Sequence, residues 1–172
     1  MKTIAWLTDI HLNFLPETGL GEFVADVLED NPDIVLITGD IAEADSLSRY
    51  LRRLAEWLQR PIYFVLGNHD FYRGSIDGVR EEMTELARNR KHLHYLPREG
   101  VVELTPTTAM VGHDGWGDGR YGDYGSSDLM LSDFLFVKEL FGCGKEGRRT
   151  VLNDLGDEAA EYIRVNLEEA LD

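Results

Sequence analysis

Three short apolar segments in the first part of the chain have the character of buried β-strands. They are TIAWLT (3–8), DIVLIT (33–38) and PIYFVL (61–66), and each is continuously apolar instead of alternating. Continuous apolar runs of this length are typical of strands that are covered on both faces. The pattern therefore predicts three strands of a parallel sheet.

Segments with helical periodicity separate these strands. The apolar residues that recur at helical spacing are Leu20, Phe23, Val24, Val27 and Leu28 in the first segment and Leu47, Tyr50, Leu51, Leu54 and Leu58 in the second. A third helix is predicted over 75–90. The order βαβαβ implies parallel strands joined by right-handed crossovers, and hence an α/β fold.

The pattern changes after residue 92. Short strand candidates follow at HLHYL (92–96), GVVEL (100–104) and TTAMVGH (107–113), with turn signals and no crossover helices between them. A loop rich in Gly, Asp and Tyr is expected over 114–128, and helices are expected over 129–141 and 153–171. Trp6 and Trp57 are expected in the core. Because no linker interrupts the chain, one domain over 1–172 is predicted.

Composition and charge narrow the classes of function. The 172 residues are 43% hydrophobic, as in a folded domain, and 17 basic against 32 acidic residues give a net charge of −15. This charge disfavours non-specific nucleic-acid binding and attraction to anionic membranes, although metal ions could still attract phosphate locally. A single cysteine, no signal-peptide pattern and no long apolar segment lead us to expect a cytoplasmic protein without membrane partners.

Polar side chains follow each of the three predicted parallel strands. Asp9 and His11 follow the first, Asp40 the second, and Asn68, His69 and Asp70 the third. A single Asp or Asn in such a place is often a turn residue. Together, however, these residues meet at one edge of the sheet, where ligands of α/β proteins bind. Carboxylate and imidazole donors at this edge predict a site for a divalent transition metal.

The order of these motifs resembles a known family. D-x-H at 9–11, GD at 39–40 and GNHD at 67–70 are similar to the motifs of the calcineurin-like metallophosphoesterase superfamily. The resemblance implies a sandwich of two mixed β-sheets flanked by helices. It also implies hydrolysis of phosphomonoesters or phosphodiesters with two divalent metal ions.

The same resemblance assigns roles to individual residues. Asp9 and His11 would bind the first metal, Asp40 would bridge both, and Asn68 would bind the second through its amide oxygen. His69 would contact the substrate phosphate or protonate the leaving oxygen, and Asp70 would orient it. The metals would be Mn²⁺, Fe, Zn²⁺ or a mixed pair, since these donor types do not choose among them.

The sequence departs from the family pattern after residue 113. The family continues with a further His and then Gly-His-x-His, whereas the histidines here are His11, His69, His92, His94 and His113. VGHDGW (111–116) resembles the segment before those late ligands, which makes His113 a candidate substrate contact. DEAAEYIRVNLEEALD (157–172) resembles the helix before the first missing histidine. We therefore expect a second sheet and a domain incomplete at the C-terminus.

This departure leads to two further expectations. The site would hold two metal ions or only one. A homo-oligomer could cover the sheet edges left unpaired.

A glycine-rich segment, GDGRYG (117–122), formally matches a dinucleotide fingerprint, but it contains acidic Asp118 and does not lead directly into a helix. We expect a loop there in which Arg120 contacts the substrate.

The leading interpretation is a metal-dependent phosphoesterase that acts on a small phosphate ester or a nucleotide. The alternative is a catalytically impaired protein of the same fold that acts through metal binding or association. The missing late histidines favour the alternative, and the intact strand-end motifs favour the enzyme.

Overall fold

A computed structural model of the chain describes residues 2–16 and 18–171. The main sheet has four strands: β1 Ile4–Leu7, β2 Ile34–Thr38, β3 Ile62–Val65 and β4 Leu93–Tyr95. All three neighbouring pairs are parallel, in the order β1-β2-β3-β4. The three predicted strands are confirmed, and the segment at 92–96 supplies the fourth.

Three helices connect these strands: α1 Gly19–Glu29, α2 Ala44–Leu58 and α3 Ile76–Arg88. The predicted apolar positions of α2 pack into the core, where Leu47, Leu51, Leu54 and Leu58 are buried. Helix α3 begins after Ser75, whose hydroxyl accepts a hydrogen bond from the Gly78 amide at 3.2 Å. Because α3 supplies a third crossover, β4 continues the parallel sheet.

A second, smaller sheet consists of β5 Val102–Thr105 and β6 Thr108–Met110, which are antiparallel. The α/β class with two sheets flanked by helices is confirmed. The expected mixture of strand directions, however, is not found in the part of the chain that the structure describes. The main sheet is parallel and the second sheet is antiparallel. The reason is connection length, since the crossover before β4 allows a parallel pair, whereas two residues between β5 and β6 allow only a hairpin.

The C-terminal helices differ from their predicted bounds. The helix expected over 129–141 is one turn, α4 Asp133–Phe136, because Val137 is extended and the Lys138 amide donates to the Gly74 carbonyl at 3.1 Å. The helix expected over 153–171 is longer, α5 Lys145–Leu171. Its predicted apolar stripe is buried at Leu155 and becomes exposed toward the end, at Ile163, Leu167 and Leu171.

The core lies between the main sheet and its helices, with Phe64 and Tyr95 fully buried and their rings stacked at 5.3 Å. The prediction that both tryptophans lie in the core is wrong. Trp6 is 70% exposed because β1 lies at an edge of the sheet, and Trp57 is 46% exposed on the outer side of α2. Among the described residues, the helices are all too short or too polar to span a lipid bilayer.

Candidate metal centre

The strand-end residues converge at the carboxyl edge of the main sheet. Leu7 pairs with Ile37 and Thr38 pairs with Val65, so β1, β2 and β3 end at nearly the same level. One ligating atom from each of His11, Asp40 and His69 lies within 4.8 Å of the others. The structure therefore brings together three of the site residues expected from sequence.

The backbone around these residues is strained. Asp9, His11 and Asp40 have φ angles of 53°, 39° and 52°, in the left-handed region that residues with a Cβ seldom adopt. The His11 amide donates to the Asp40 carbonyl at 2.9 Å, and this bond joins the loops that follow β1 and β2. Such conformations concentrate at functional sites, where the surrounding structure holds them in place.

Two glycines let the ends of β2 and β3 approach each other at backbone distance. Gly39 has a φ of 92°, and a Cβ there would lie 2.7 Å from the Gly67 amide nitrogen. A Cβ on Gly67 would overlap the Asp40 carboxylate and lie 2.6 Å from the Asp40 amide nitrogen. Both positions therefore require glycine if Asp40 is to stay where it is.

The imidazole of His11 is oriented toward Asp40 without being bonded to it. The distance from His11 Nε2 to Asp40 Oδ2 is 3.7 Å, longer than a hydrogen bond, and His11 Nδ1 is buried without a hydrogen-bond partner among the described residues. Two donors about 2.1 Å from one ion would lie roughly 3–3.5 Å apart. The free imidazole nitrogens and the neighbouring carboxylate therefore fit a divalent transition ion.

His69 lies between two rings and beside Asp40. Its backbone amide donates to Asp40 Oδ1 at 3.1 Å. Its imidazole meets His11 edge-on with a centroid distance of 4.8 Å and stacks on Tyr72 at 4.3 Å. The ring of His69 is thus fixed by its neighbours while its polar edge stays in the cluster.

Asp9 lies beside this cluster but outside the converging trio. Its side chain is exposed, and one carboxylate oxygen accepts a hydrogen bond from the Thr8 hydroxyl at 2.5 Å. The Asp9 amide donates to the Gly39 carbonyl at 3.3 Å, which anchors the residue at the same strand edge. The structure thus places Asp9 near the ligand positions without bringing its carboxylate against His11, Asp40 and His69 together.

Asn68 is held by two residues that the sequence analysis did not identify. Its amide nitrogen donates to Asp133 Oδ1 at 2.7 Å and to the Tyr72 hydroxyl at 3.2 Å. The Tyr72 hydroxyl in turn donates to Asp133 Oδ1, also at 2.7 Å. Tyr72 could have been suspected because it is close to the GNHD motif, but nothing in the local sequence of Asp133 relates it to residues 65 positions earlier.

Asp70 is fully buried and accepts three hydrogen bonds from backbone amides. Oδ1 accepts from Ile41 and Ala42, each at 2.9 Å, and Oδ2 accepts from Gly67 at 2.8 Å. Burial raises the pKa of Asp70 to about 7, while the amide groups act in the opposite direction. Among the described hydrogen bonds of this carboxylate, none joins it to His69, so it connects the loop after β2 to the loop after β3.

His113 packs against α5 instead of the strand-end cluster. Its side chain is 6% exposed, its ring centroid lies 5.1 Å from that of Tyr162, and its Nε2 lies 3.9 Å from Glu158. Burial lowers the pKa of His113. His113 Nδ1 accepts a hydrogen bond from the Gly115 amide at 3.1 Å, so the residue shapes the loop that follows β6.

The neighbouring Asp114 is the centre of a buried polar network. Its Oδ1 accepts from the Leu66 amide at 2.9 Å, and its Oδ2 accepts from the Tyr95 hydroxyl at 2.5 Å and from Arg80 at 3.0 Å. Arg80 also donates to Glu158 on α5. This network ties the ends of β3 and β4 to α3 and α5, and so fixes one wall of the site.

Arg120 is paired with one acidic residue near the middle of α5 and with another in its own loop. Its guanidinium donates to Asp118 at 2.7 Å and to Asp157 at 2.6 Å. The hydrogen bonds that Arg120 donates to these carboxylates raise its pKa. The structure therefore places Arg120 in an exposed ion-pair cluster, and its role in contacting a substrate remains a prediction.

A cleft of about 480 Å³ opens beside Asn68 and Asp133. Its apolar side chains are Trp116, Tyr124, Leu131, Phe134 and Leu152, and the glycine-rich loop from Asp114 to Gly119 forms its rim. Part of its surface is acidic, from Asp118 and Asp133. A small molecule bound there would reach the strand-end cluster through Asn68.

Comparisons with known proteins agree with this geometry. The sequence model of the calcineurin-like phosphoesterase family matches residues 2–165. A transmembrane protein with a metallophosphoesterase domain from Danio rerio is 42% identical over 94 residues, which cover 50% of this chain and 21% of that protein. This chain therefore matches about a fifth of that relative's length.

The fold also has a solved counterpart. The crystal structure of phosphopantetheinyl hydrolase from Mycobacterium tuberculosis superposes with a TM-score of 0.70 at 15% identity, and the match covers 96% of this chain and 63% of that one. At this identity the likeness concerns the fold alone. The family match, the shared fold and the strand-end cluster agree, and the chain belongs to the calcineurin-like phosphoesterase family.

Proposed function

We propose that this chain hydrolyses a phosphate ester with divalent cations bound at the carboxyl edge of its main sheet. The observation that carries the proposal is the convergence of His11, Asp40 and His69 within 4.8 Å at the ends of three parallel strands. Family membership supports the same class of reaction. Cation binding would also offset the acidic charge that otherwise repels a phosphate.

The cation ligands that we propose are Asp9, His11, Asp40 and Asn68. Asp40 is the proposed bridge, because Oδ2 lies toward His11 whereas Oδ1 lies on the side of the GNHD loop. Bound divalent cations would supply Lewis acidity toward the phosphoryl group and lower the pKa of the attacking water. Mn²⁺, Fe or Zn²⁺ suits these donors, as a pair or as a single ion.

His69 is the proposed general acid or phosphate contact. Its ring is fixed between His11 and Tyr72, which presets its orientation. An imidazole can donate a proton to a leaving oxygen near neutral pH. Asp70 is proposed to act on His69 through the backbone, since its carboxylate holds Gly67 and the loop that carries His69.

The cleft beside Asn68 is the proposed place for the group esterified to the phosphate. Its aromatic and aliphatic lining suits an apolar or flat group of a small molecule or a nucleotide. Arg120 and His113, which the sequence predicted as substrate contacts, remain candidates for that role. An increase in KM without a change in kcat for Arg120→Ala would support such a role for Arg120.

The test combines Mn²⁺ titration calorimetry with hydrolysis of p-nitrophenyl phosphate and bis-p-nitrophenyl phosphate. We expect the wild type to bind Mn²⁺ and hydrolyse at least one ester, and Asp40→Ala to lose both properties. His69→Ala should keep most Mn²⁺ binding and lose about 10²–10⁴-fold in turnover. Asp26→Ala, on the exposed face of α1, is the control for loss of one negative charge. A folded wild type without Mn²⁺ binding or turnover would favour the non-catalytic alternative.

Homo-oligomer formation and a cytoplasmic location remain predictions. On the edge strand β1, Ile4 is 42% and Trp6 70% exposed, and a second copy could cover them. Light scattering of the wild type beside Trp6→Ser tests this surface. A monomeric mass at all concentrations would contradict the homo-oligomer. Fractionation of cells that express the chain tests the predicted cytoplasmic location.

A further inference from the structure

The amide of Asn68 has its two N–H groups committed to two acceptors. One acceptor is Asp133 Oδ1 at 2.7 Å, and the other is the Tyr72 hydroxyl at 3.2 Å. A carboxylate carries no proton to donate, so Asn68 can form a hydrogen bond with Asp133 only through its amide nitrogen. The amide oxygen then lies on the opposite side of the group, where it is available as a ligand for a cation.

Asp133 is itself held firmly in place. It is the first residue of α4, whose next residue, Phe134, is buried. Beyond it, the Arg73 amide donates to the Phe136 carbonyl at 2.8 Å, and a second backbone bond joins Lys138 to Gly74. These contacts hold α4 against the segment that follows the GNHD motif. The backbone that carries the Asp133 carboxylate is therefore held in position.

The same carboxylate also fixes the ring on which His69 packs. The Tyr72 hydroxyl donates to Asp133 Oδ1 at 2.7 Å, and the Tyr72 ring stacks on His69 at 4.3 Å. Tyr72 is only 6% exposed, which limits the alternative positions of this ring. One side chain from a distant part of the chain therefore restrains two of the predicted site residues.

We infer that Asp133 is a positioning residue of the metal centre. It orients Asn68 so that the amide oxygen serves as the cation ligand, and it fixes Tyr72 behind His69. This inference rests on the proposed function, because it presupposes a cation at the strand ends. Partners that orient a ligand in this way typically affect metal affinity about 10–100-fold when they are mutated.

The experiment measures Mn²⁺ dissociation constants by calorimetry for the wild type, Asp133→Ala, Asp133→Asn and a control, Asp128→Ala. The control removes a carboxylate five residues earlier from an exposed position. We expect Asp133→Ala to weaken Mn²⁺ binding about 10–100-fold. Asp133→Asn keeps an acceptor oxygen, so its Mn²⁺ affinity should lie between those of the wild type and Asp133→Ala. The Mn²⁺ affinity of Asp128→Ala should match that of the wild type.

A second readout follows the orientation of Asn68 without any metal. In ¹⁵N-labelled protein, the side-chain N–H signals of Asn68 should be protected from solvent exchange in the wild type. Protection should be lost in Asp133→Ala and partly retained in Asp133→Asn. A purely structural role for Asp133 would lower the melting temperature and leave both Mn²⁺ affinity and this protection in the folded fraction unchanged.

The outcomes separate the inference from the proposed function. If the wild type binds Mn²⁺ and folded Asp133→Ala binds it equally well, the positioning role is overturned and the metal centre stands. If the wild type binds no Mn²⁺, the proposed function and the positioning role fall together. If Asp133→Ala does not fold, Asp133→Asn decides, because it keeps the size of the side chain while it removes one acceptor oxygen and the negative charge. Mn²⁺ affinity and Asn68 protection equal to those of the wild type in that variant would overturn the inference.

Discussion

Removal of the Asp70 carboxylate should destabilise the protein more than any surface substitution. Asp70 has no exposed surface, and its two oxygens accept hydrogen bonds from the amides of Ile41, Ala42 and Gly67. Asp70→Ala leaves all three donors without their partner. Asp70→Asn keeps one acceptor oxygen but places an NH₂ group against one of the amides.

The size of the effect follows from these bonds. An unsatisfied buried donor costs about 1–3 kcal/mol, so three of them predict a loss of roughly 3–7 kcal/mol for Asp70→Ala when the partly exposed Gly67 amide is given the lower value. Asp70→Asn should lose about 2–3 kcal/mol, because one bond becomes a contact between two donors. Since a domain of this size is stable by about 5–15 kcal/mol, Asp70→Ala should fold poorly.

Urea unfolding followed by circular dichroism measures these free energies. Asp26→Ala is the matched control, since it removes an exposed carboxylate from α1 and should change stability by no more than about 0.5 kcal/mol. A loss below about 1 kcal/mol for both Asp70 variants would refute the backbone-anchoring role. If, in addition, Asp70→Asn lowered turnover sharply at unchanged stability, the direct orientation of His69 expected from the sequence would be the better account.

Three further predictions concern other parts of the site. Gly67→Ala should weaken Mn²⁺ binding and lower stability, because its Cβ would displace Asp40. Gly21→Ala, in open space on α1, should instead raise stability by about 0.5–1 kcal/mol. Calorimetry measures the Mn²⁺ binding and thermal unfolding measures the stability of both variants. Burial lowers the pKa of His113, so the unfolded chain takes up its proton more readily and stability should fall as the pH drops below about 6.5; a His113→Gln variant with the same pH profile would contradict this. Mn²⁺ at about 100 times its dissociation constant should stabilise the wild type by about 2.7 kcal/mol, and Asp40→Ala should show no such shift in melting temperature.

The main sheet and its edge could be predicted from the sequence because their signals are local. Continuous apolar segments mark β1, β2 and β3, and helical spacing marks the crossovers, as the buried positions of α2 confirm. Polar residues that directly follow such strands must lie at the carboxyl edge. The juxtaposition of His11, Asp40 and His69 therefore required no long-range information beyond the parallel order of the strands.

The second half of the site could not be predicted in this way. Asp133 contacts Asn68 through a tertiary contact across 65 positions, and the segment that carries it has no continuous periodicity beyond one helical turn. His113 and Arg120 lie in glycine-rich or irregular segments whose course is decided by their contacts with α5. The sequence around these two residues predicted a loop near the site. In the structure, His113 lies beside Glu158 and Arg120 pairs with Asp157.

The strand-end residues adopt backbone conformations that contradict their local conformational preference. Asp9, His11 and Asp40 all adopt left-handed φ angles, which cost on the order of 1 kcal/mol each, whereas Gly39 beside them adopts such an angle without a Cβ. Glycine would satisfy the backbone at these positions, yet the chain carries carboxylates and an imidazole. The backbone bond from His11 to Asp40 and the buried carboxylate of Asp70 offset this strain. Local stability and the proposed ligand set thus oppose each other at this edge, and the proposed ligand set would account for the residues that are found there.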